Sequence, residues 1–352
     1  MNWEFVDRVW YSNDSLASAA RTALTPFERA FRGVVGARDM LYDAGILPLH
    51  DTAIPAISVG NLTVGGTGKT PVSAWLARGL VTRGAHPAIV MRGYGDDEPL
   101  VHHRLNPDVP VITNPDRVQG IADAAKHGAD VAVLDDGFQH RRAKRSIDLV
   151  LIGADRWTDD VRLLPAGPWR EPLEALRRAS MIIVTRKAAG NQLVELVHER
   201  LARVAPTVPR VGVRLEMGEL VRASETEGVA ATAPLMVLAG QAVHAVASIG
   251  DPRAFVAQLE ALGARVTVSL FPDHHRFSDE DIAGALGAVG PSRWVVCTLK
   301  DAVKLGPRWP RLAPPLWYVS QHVMVERGVG GIERLLDDFV RTRSQTATQT
   351  AG

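Results

Sequence analysis

The sequence predicts an α/β fold: a mainly parallel sheet with helices on both faces, plus a second, smaller α/β domain. Three observations predict it. Short apolar runs at residues 54–59, 87–91, 131–134, 147–152 and 181–184 alternate with stretches of helical periodicity. Strands buried on both faces and linked by crossover helices read this way. A second series, at 235–239, 265–270, 294–298 and 316–319, follows a polar stretch at 216–234 that reads as the domain junction. Finally, an apolar strand at 55–59 runs through Gly60-Asn61-Leu62 into a glycine-rich loop and then into Pro71-Val72-Ser73-Ala74-Trp75-Leu76, which has helical character. Strand, loop and helix in that order are the setting of a phosphate-binding loop, so the first domain reads as P-loop NTPase-like.

The loop is Thr63-Val64-Gly65-Gly66-Thr67-Gly68-Lys69-Thr70. Its glycines let backbone N–H groups turn onto phosphate oxygens without a Cβ in the way. The helix that follows adds the positive end of its dipole. Lys69 can reach β- and γ-phosphates, and the Thr70 hydroxyl can bind Mg²⁺. The generic pattern places glycine where this chain has Thr63. Residues 131–134 then end in Asp135 and Asp136. Two acids at one strand end are costly without a cation, and beside a P-loop one of them is expected to hold magnesium.

The remaining composition sets bounds. The chain has 352 residues, 46% hydrophobic and 22% charged, with 40 basic against 39 acidic side chains, which suits two soluble domains. A net charge of +1 gives no overall drive toward nucleic acid, and none is expected as a partner. The basic run Arg141-Arg142-Ala143-Lys144-Arg145 reads as a solvated face. Cys297, the single cysteine, lies in an apolar run and reads as a buried strand thiol. The start of the chain lacks a signal peptide's basic and apolar regions, so a cytoplasmic protein is expected. Residues 1–50 read as helical, with Trp3, Val6, Val9 and Trp10 near one face and Phe27, Ala30, Phe31, Val34 and Val35 likewise near one face. Pattern alone favours a helix packed on its own domain over one lying on a membrane. The Thr/Gln/Ser-rich residues 343–352 read as a disordered tail, with domains at 51–225 and 226–342.

Seven motifs occur in a fixed order: the loop from Asn61 to Pro71, Arg92-Gly93-Tyr94-Gly95, Asp97-Glu98-Pro99, Asp135-Asp136-Gly137-Phe138-Gln139-His140, Leu164-Pro165-Ala166-Gly167-Pro168, Phe271-Pro272-Asp273-His274-His275 and Lys300-Asp301-Ala302-Val303-Lys304. The ordered set, over roughly residues 8 to 340, resembles the tetraacyldisaccharide 4′-kinase family, whose members usually carry threonine at the position of Thr63. The resemblance implies transfer of phosphate from ATP, with Mg²⁺, to the 4′-hydroxyl of a tetraacylated glucosamine disaccharide 1-phosphate, the lipid A precursor. It implies two α/β domains with a nucleotide cleft that closes on binding. It also implies peripheral attachment to an anionic membrane surface, the cytoplasmic face of the bacterial inner membrane, with residues 1–50 as the membrane-facing segment.

By the same resemblance Asp97 is the catalytic base, His274 its partner and Lys69 the phosphate-binding lysine. Thr70, Asp135, Asp136 and Glu98 are the candidate magnesium ligands. Arg117, Arg92 and Arg141 are the leading candidates for phosphate contact, with Arg142 and Arg170 behind them. The family usually places an insertion between Gly95 and its Gly-Asp-Glu-Pro motif. Here Asp96-Asp97 follows at once, so Asp96 competes for the role of base. The alternative reading, a metallochaperone-type P-loop GTPase or ATPase, lacks an Asn-Lys-x-Asp loop and a cysteine cluster.

Overall fold

The chain opens with two helices, α1 (Trp3–Tyr11) and α2 (Ser15–Asp43). Then come β1 (Ala56–Asn61), α3 (Lys69–Val81), β2 (Pro87–Met91), α4 (Asp97–Leu105), β3 (Val111–Thr113), α5 (Arg117–Lys126), β4 (Val131–Asp135), β5 (Ile147–Gly153) and β6 (Met181–Arg186). The second half runs α6 (Asn191–Val204), β7 (Arg210–Arg222), β8 (Thr232–Pro234), β9 (Ala242–Ala247), α7 (Pro252–Ala261), β10 (Arg265–Leu270), α8 (Asp279–Ala288), β11 (Trp294–Thr298), α9 (Leu299–Leu305), β12 (Leu316–Arg327) and α10 (Val329–Thr350). The structure is a computed structural model that describes residues 3–93, 97–223, 230–250, 252–290 and 294–350.

The chain forms two compact units, and neither is continuous in sequence. The first comprises Met1–Arg92, Asp108–Leu215 and Val323–Gly352; the second comprises Gly93–Pro107 and Glu216–His322. This differs from the linear division at 225. The short segment around α4 belongs with the C-terminal half, and the last helix returns to the first unit. Apolar patterning reports whether a residue is buried, not which core buries it, so such exchanges leave no mark in the sequence.

In the first unit the strand order is β7-β6-β5-β1-β4-β2-β3. Neighbours pair in parallel, with Val59 of β1 opposite Asp135 of β4 and Leu149 of β5. All six residues of β1 are buried. Alternate side chains feed opposite layers: Ile57 and Val59 pack with Val72, Leu76 and Leu80 of α3, whereas Ala56 packs with Ile121 and Ala124 of α5. A further core joins Leu62, Phe138, Trp169 and the apolar face of α6. The sequence places β1, β2, β4, β5 and β6 within two residues of their ends, whereas β3 and β7 were not read as strands, and β7 runs into the stretch from 216 read as a junction.

In the second unit β10, β9, β11 and β12 follow one another in parallel, and β8 pairs antiparallel with β7. Val295 and Cys297 face the layer of α8 and α9, and Val296 faces that of α7. Cys297 is buried, and burial pushes its thiol pKa well up. Residues 235–239 form a 3₁₀ turn, Leu235–Leu238, rather than a strand. Pro234 precedes the turn, Gly240 leaves it at φ 70°, and the strand comes afterwards as β9. The buried His244 interrupts the apolar run of β9, and its ring sits between the hydroxyls of Thr267 (2.9 Å) and Ser269 (3.0 Å).

At the end of the chain α10 continues to Thr350, where the composition suggested disorder from residue 343. Extending an existing helix needs no new nucleus, so a polar sequence of middling propensity can follow it. The basic run is not a free solvated face either. Arg141 pairs with Asp43 (2.6 Å), Arg142 with Asp116 (3.1 Å), Lys144 with Asp51 (2.9 Å) and Arg145 with Asp148 (3.0 Å).

Helix α2 is packed on one side and open on another. Ala17, Glu28 and Val35 are buried, and Phe31 packs against the core around Phe138. Leu16, Phe27, Val34 and Leu41 recur at spacings of 11, 7 and 7 residues, which places them along one stripe of a helix. They are 51%, 64%, 69% and 38% exposed. The faces assigned from sequence therefore divide, with Phe31 and Val35 inward and Phe27 and Val34 outward. No helix among the described residues is long and apolar enough to cross a membrane.

Candidate active site

The first unit carries the phosphate loop. Strand β1 ends at Asn61, and α3 begins at Lys69 with Gly68 as its N-cap in the left-handed region, φ 88°. A Cβ on Gly68 would also collide with Leu215. The loop is held from several sides. Asn61 donates to the Thr67 hydroxyl (2.8 Å), Thr185 donates to the Thr67 carbonyl (2.8 Å), and Gln139 donates to the Asn61 carbonyl (2.9 Å). Thr63 forms an antiparallel bridge with Trp169. It therefore has extended backbone, which any residue adopts, and glycine is not needed there.

That bridge explains the motif at residues 164–168. The Val64 N–H donates to the Pro168 carbonyl (2.8 Å), and the Arg170 N–H donates to the Leu62 carbonyl (2.6 Å). The segment lies along the entry to the loop and delivers the Arg170 guanidinium to Asp136, with bonds of 2.8 and 3.0 Å to its two oxygens. Lys69 Nζ stands 3.7 Å from Asp136 Oδ1. Asp136 has φ 56°, unusual for a residue with a side chain. Burial pushes its pKa up, but Lys69, Arg170 and Arg117 outweigh this and hold it at about 2. Asp135, the last residue of β4, is buried.

The structure thus brings Lys69, Asp136, Arg170 and Arg117 together. Arg117 is 3% exposed and donates to the Asn114 carbonyl (2.8 Å); burial lowers its pKa. Arg141 goes elsewhere, to Asp39 and Asp43 of α2 and to the Tyr42 ring, 5.0 Å from its centroid. Arg92 is exposed beyond β2. The Thr70 hydroxyl and the carboxylates of Asp135 and Asp136 are hard oxygen donors of the kind that suit Mg²⁺ with nucleotide phosphates.

The second unit carries a separate cluster around Asp97, the first residue of α4, which is 2% exposed. Asp97 Oδ1 lies 3.1 Å from His274 Nδ1. Asp97 Oδ2 is buried and accepts no hydrogen bond among the described residues. The ammonium groups of Lys304 and Lys300 stand 3.7 and 3.9 Å from it. Burial raises the Asp97 pKa, but His274, Lys300 and Lys304 prevail and bring it to about 2. Glu98 follows in the first turn, partly buried. Asp96 lies outside the described residues.

His274 also has left-handed backbone, φ 58°, and its N–H donates to Asp273 Oδ1 (3.1 Å). Its Nε2 is 3.0 Å from Lys300 Nζ, and lysine has only donors, so this contact belongs to the neutral ring with its proton on Nδ1 facing Asp97. The hydrogen bond to Asp97 raises the His274 pKa. Protonation would turn Nε2 into a donor and leave Lys300 to Asp273, at 3.2 Å. Below, His275 stacks on Phe271 at 4.9 Å and bonds to Asp281 at 3.0 Å, which fixes the loop.

Neither Lys300 nor Lys304 is assigned a role by the sequence reading. The available signal is their i, i+4 spacing, which puts two cations on one face of a short helix. In histidine-detected NMR, His274 is expected to titrate above 6.5, and Asp97→Asn is expected to lower the midpoint because the largest raising contact is lost. An unchanged midpoint would contradict the pairing.

The family model for tetraacyldisaccharide-1-P 4'-kinase (LpxK) matches residues 20–97 and 95–341. The two segments meet where this chain joins Gly95 directly to Asp96-Asp97. A tetraacyldisaccharide 4'-kinase of Anaeromyxobacter dehalogenans (strain 2CP-1 / ATCC BAA-258) is 36% identical, with 94% of each chain covered. Another, from Anaeromyxobacter sp. (strain Fw109-5), is 34% identical with 99% of each covered. The crystal structure of the "apo" form of LpxK from Aquifex aeolicus in complex with ATP has a TM-score of 0.70 and 28% identity, covering 92% of this chain and 99% of that one. These matches favour the lipid-kinase reading over a metallochaperone GTPase. The chain belongs to the tetraacyldisaccharide-1-P 4'-kinase family.

Proposed function

We propose that this protein transfers the γ-phosphoryl group of ATP to the 4′-hydroxyl of a tetraacylated glucosamine disaccharide 1-phosphate. The observation that carries the proposal is the ionised, buried Asp97 carboxylate of the second unit, whose Oδ2 accepts no hydrogen bond among the described residues; the phosphate loop of the first unit supports it independently. The loop amides and Lys69 bind the triphosphate. Thr70, with Asp135 or Asp136, would hold Mg²⁺, which shields the phosphate charge when bound; Glu98 is the further candidate ligand. Lys69 and Arg170 neutralise Asp136 here, and they are the cations available to phosphate oxygens, with Arg117 and Arg92 nearby in the chain's charge pattern. Such charge neutralisation and alignment supply most of the acceleration in phosphoryl transfer.

At the acceptor, the sugar oxygen forms a bond to Pγ while the bond from Pγ to the β–γ bridging oxygen breaks. ADP leaves with that electron pair, and the hydroxyl proton passes to Asp97 Oδ2 and then to solvent. His274, Lys300 and Lys304 keep the carboxylate ionised and able to accept the proton, which the sugar hydroxyl releases as its bond to phosphorus forms. His274 holds Oδ1, so Oδ2 is the oxygen that receives the proton.

The acceptor is a lipid, and we place its approach along α2. The stripe of Leu16, Phe27, Val34 and Leu41, with Met40 and the nearby Ile46 and Leu49, is exposed and apolar, and Arg29 and Arg32 are exposed on the same helix. This arrangement suits a peripheral helix on anionic headgroups, at the cytoplasmic face of the bacterial inner membrane.

Two experiments test these readings. Purified protein with Mg-ATP and tetraacyldisaccharide 1-phosphate in mixed micelles is expected to yield ADP and a new phosphate monoester on the 4′-oxygen. ADP release independent of the lipid would sink the kinase assignment. Replacing Phe27, Val34 and Met40 with serine should lower partitioning to phosphatidylglycerol-containing vesicles, and unchanged partitioning would rule out α2 as the contact.

A further inference from the structure

We propose that Lys304 is a positioning residue for the acceptor base, a cation anchored on buried Asp301 and Ser248 that holds the Asp97 carboxylate with Oδ1 on His274 and Oδ2 open. The proposal rests on Asp97 being the base. The anchor comes first. Asp301 is fully buried, and its oxygens are occupied: Oδ1 accepts from the Ser248 N–H (3.1 Å) and the Ser248 hydroxyl, and Oδ2 accepts from the Thr298 hydroxyl (2.7 Å). Asp301 is therefore fixed. A buried carboxylate also needs a counter-charge, which Lys304 supplies at 3.6 Å.

The Lys304 ammonium in turn donates to the Ser248 hydroxyl (2.7 Å) and to the His275 carbonyl (3.1 Å), and stands 5.2 Å from the Phe277 ring centroid. Those partners lie beyond the end of β9 and on the loop that carries His274. One side chain thus ties α9 to both segments and holds the histidine loop as well as facing Asp97.

The spacing to Asp97 is informative. At 3.7 Å from Oδ2, Lys304 attracts the carboxylate but is beyond the usual length of an N–H···O bond. A direct bond would occupy one of the two lone pairs on Oδ2 and make the oxygen less basic toward the hydroxyl proton. Two of the three Lys304 N–H donors are directed to Ser248 and His275, so its charge reaches Asp97 from 3.7 Å while no hydrogen bond is made to Oδ2. Lys300 is different: it is more exposed, 24% against 13% for the side chain, and is engaged by Asp273 and the His274 ring. Lys304 is the fixed cation of the pair.

The test compares full-length wild type, Lys304→Met, Lys304→Arg and Asp97→Asn with Mg-ATP and tetraacyldisaccharide 1-phosphate in mixed micelles. A misplaced reacting group loses about 100-fold in rate. Lys304→Met is expected to lose kcat on that order at saturating lipid, with ATP affinity by calorimetry unchanged, and Lys304→Arg is expected to recover much of it. Wild-type kcat in Lys304→Met would overturn the proposal, as would a lost ATP affinity or an arginine variant no better than methionine. If Lys304→Met fails to fold by circular dichroism, Ser248→Ala decides. A lowered kcat with intact ATP affinity supports the tether, and an unaltered kcat overturns it. An inactive wild type, or an active Asp97→Asn, would instead remove the base assignment on which the proposal stands.

Discussion

Taking the Asp97 carboxylate out of water is the constraint around which the second unit is arranged. An isolated buried charge would take up a proton, and a protonated Asp97 could not accept another. The chain brings three partners to it, His274, Lys300 and Lys304. Each must itself be placed, which accounts for the polar residues behind them: Asp273 against Lys300, Asp301 and Ser248 against Lys304, Asp281 against His275. Much of what looks like an unrelated set of motifs is the support of one carboxylate.

The first unit solves a similar problem with other means. Asp136 is only half-buried, yet it too is held at about 2 by cations, here Lys69, Arg170 and Arg117. Among the described residues the non-glycine positions with left-handed backbone are Asp136 and His274. Side chains adopt that conformation at a cost, of order 1–3 kcal/mol, that the surrounding structure must offset. One such residue sits in each cluster, where it aims a side chain that regular structure would turn away. The glycine-rich loop adds Gly65 and Gly68 with positive φ, where no Cβ stands in the way.

The sheet was largely legible in the sequence because buried parallel strands are short unbroken apolar runs, as at β1, β4 and β5. Where burial is polar the signal fails. His244 hides β9, and the apolar run before it folds as a 3₁₀ turn. The placement of the glycine-rich loop between β1 and α3, and of the two acids at the end of β4, was legible because residue type and spacing mark both. Lys304 was visible as a motif member without a role, and Arg170 only as a trailing candidate for phosphate contact, since what they touch depends on long-range packing: Arg170 meets Asp136 across 34 residues, and Lys304 meets Ser248 across 56. The basic run at 141–145 misled for the same reason, because the carboxylate partners of Arg141, Arg142 and Lys144 come from distant segments.

With nucleotide binding proposed for one unit and proton removal from the acceptor for the other, the two should fail separately. The most direct measurement sets ATP affinity beside turnover in Lys69→Ala and Asp97→Ala. Lys69→Ala is expected to weaken ATP binding, and Asp97→Ala to keep it while losing phosphoryl transfer to the lipid. Retained transfer in Asp97→Ala, or loss of ATP binding in both variants alike, would contradict that division of labour.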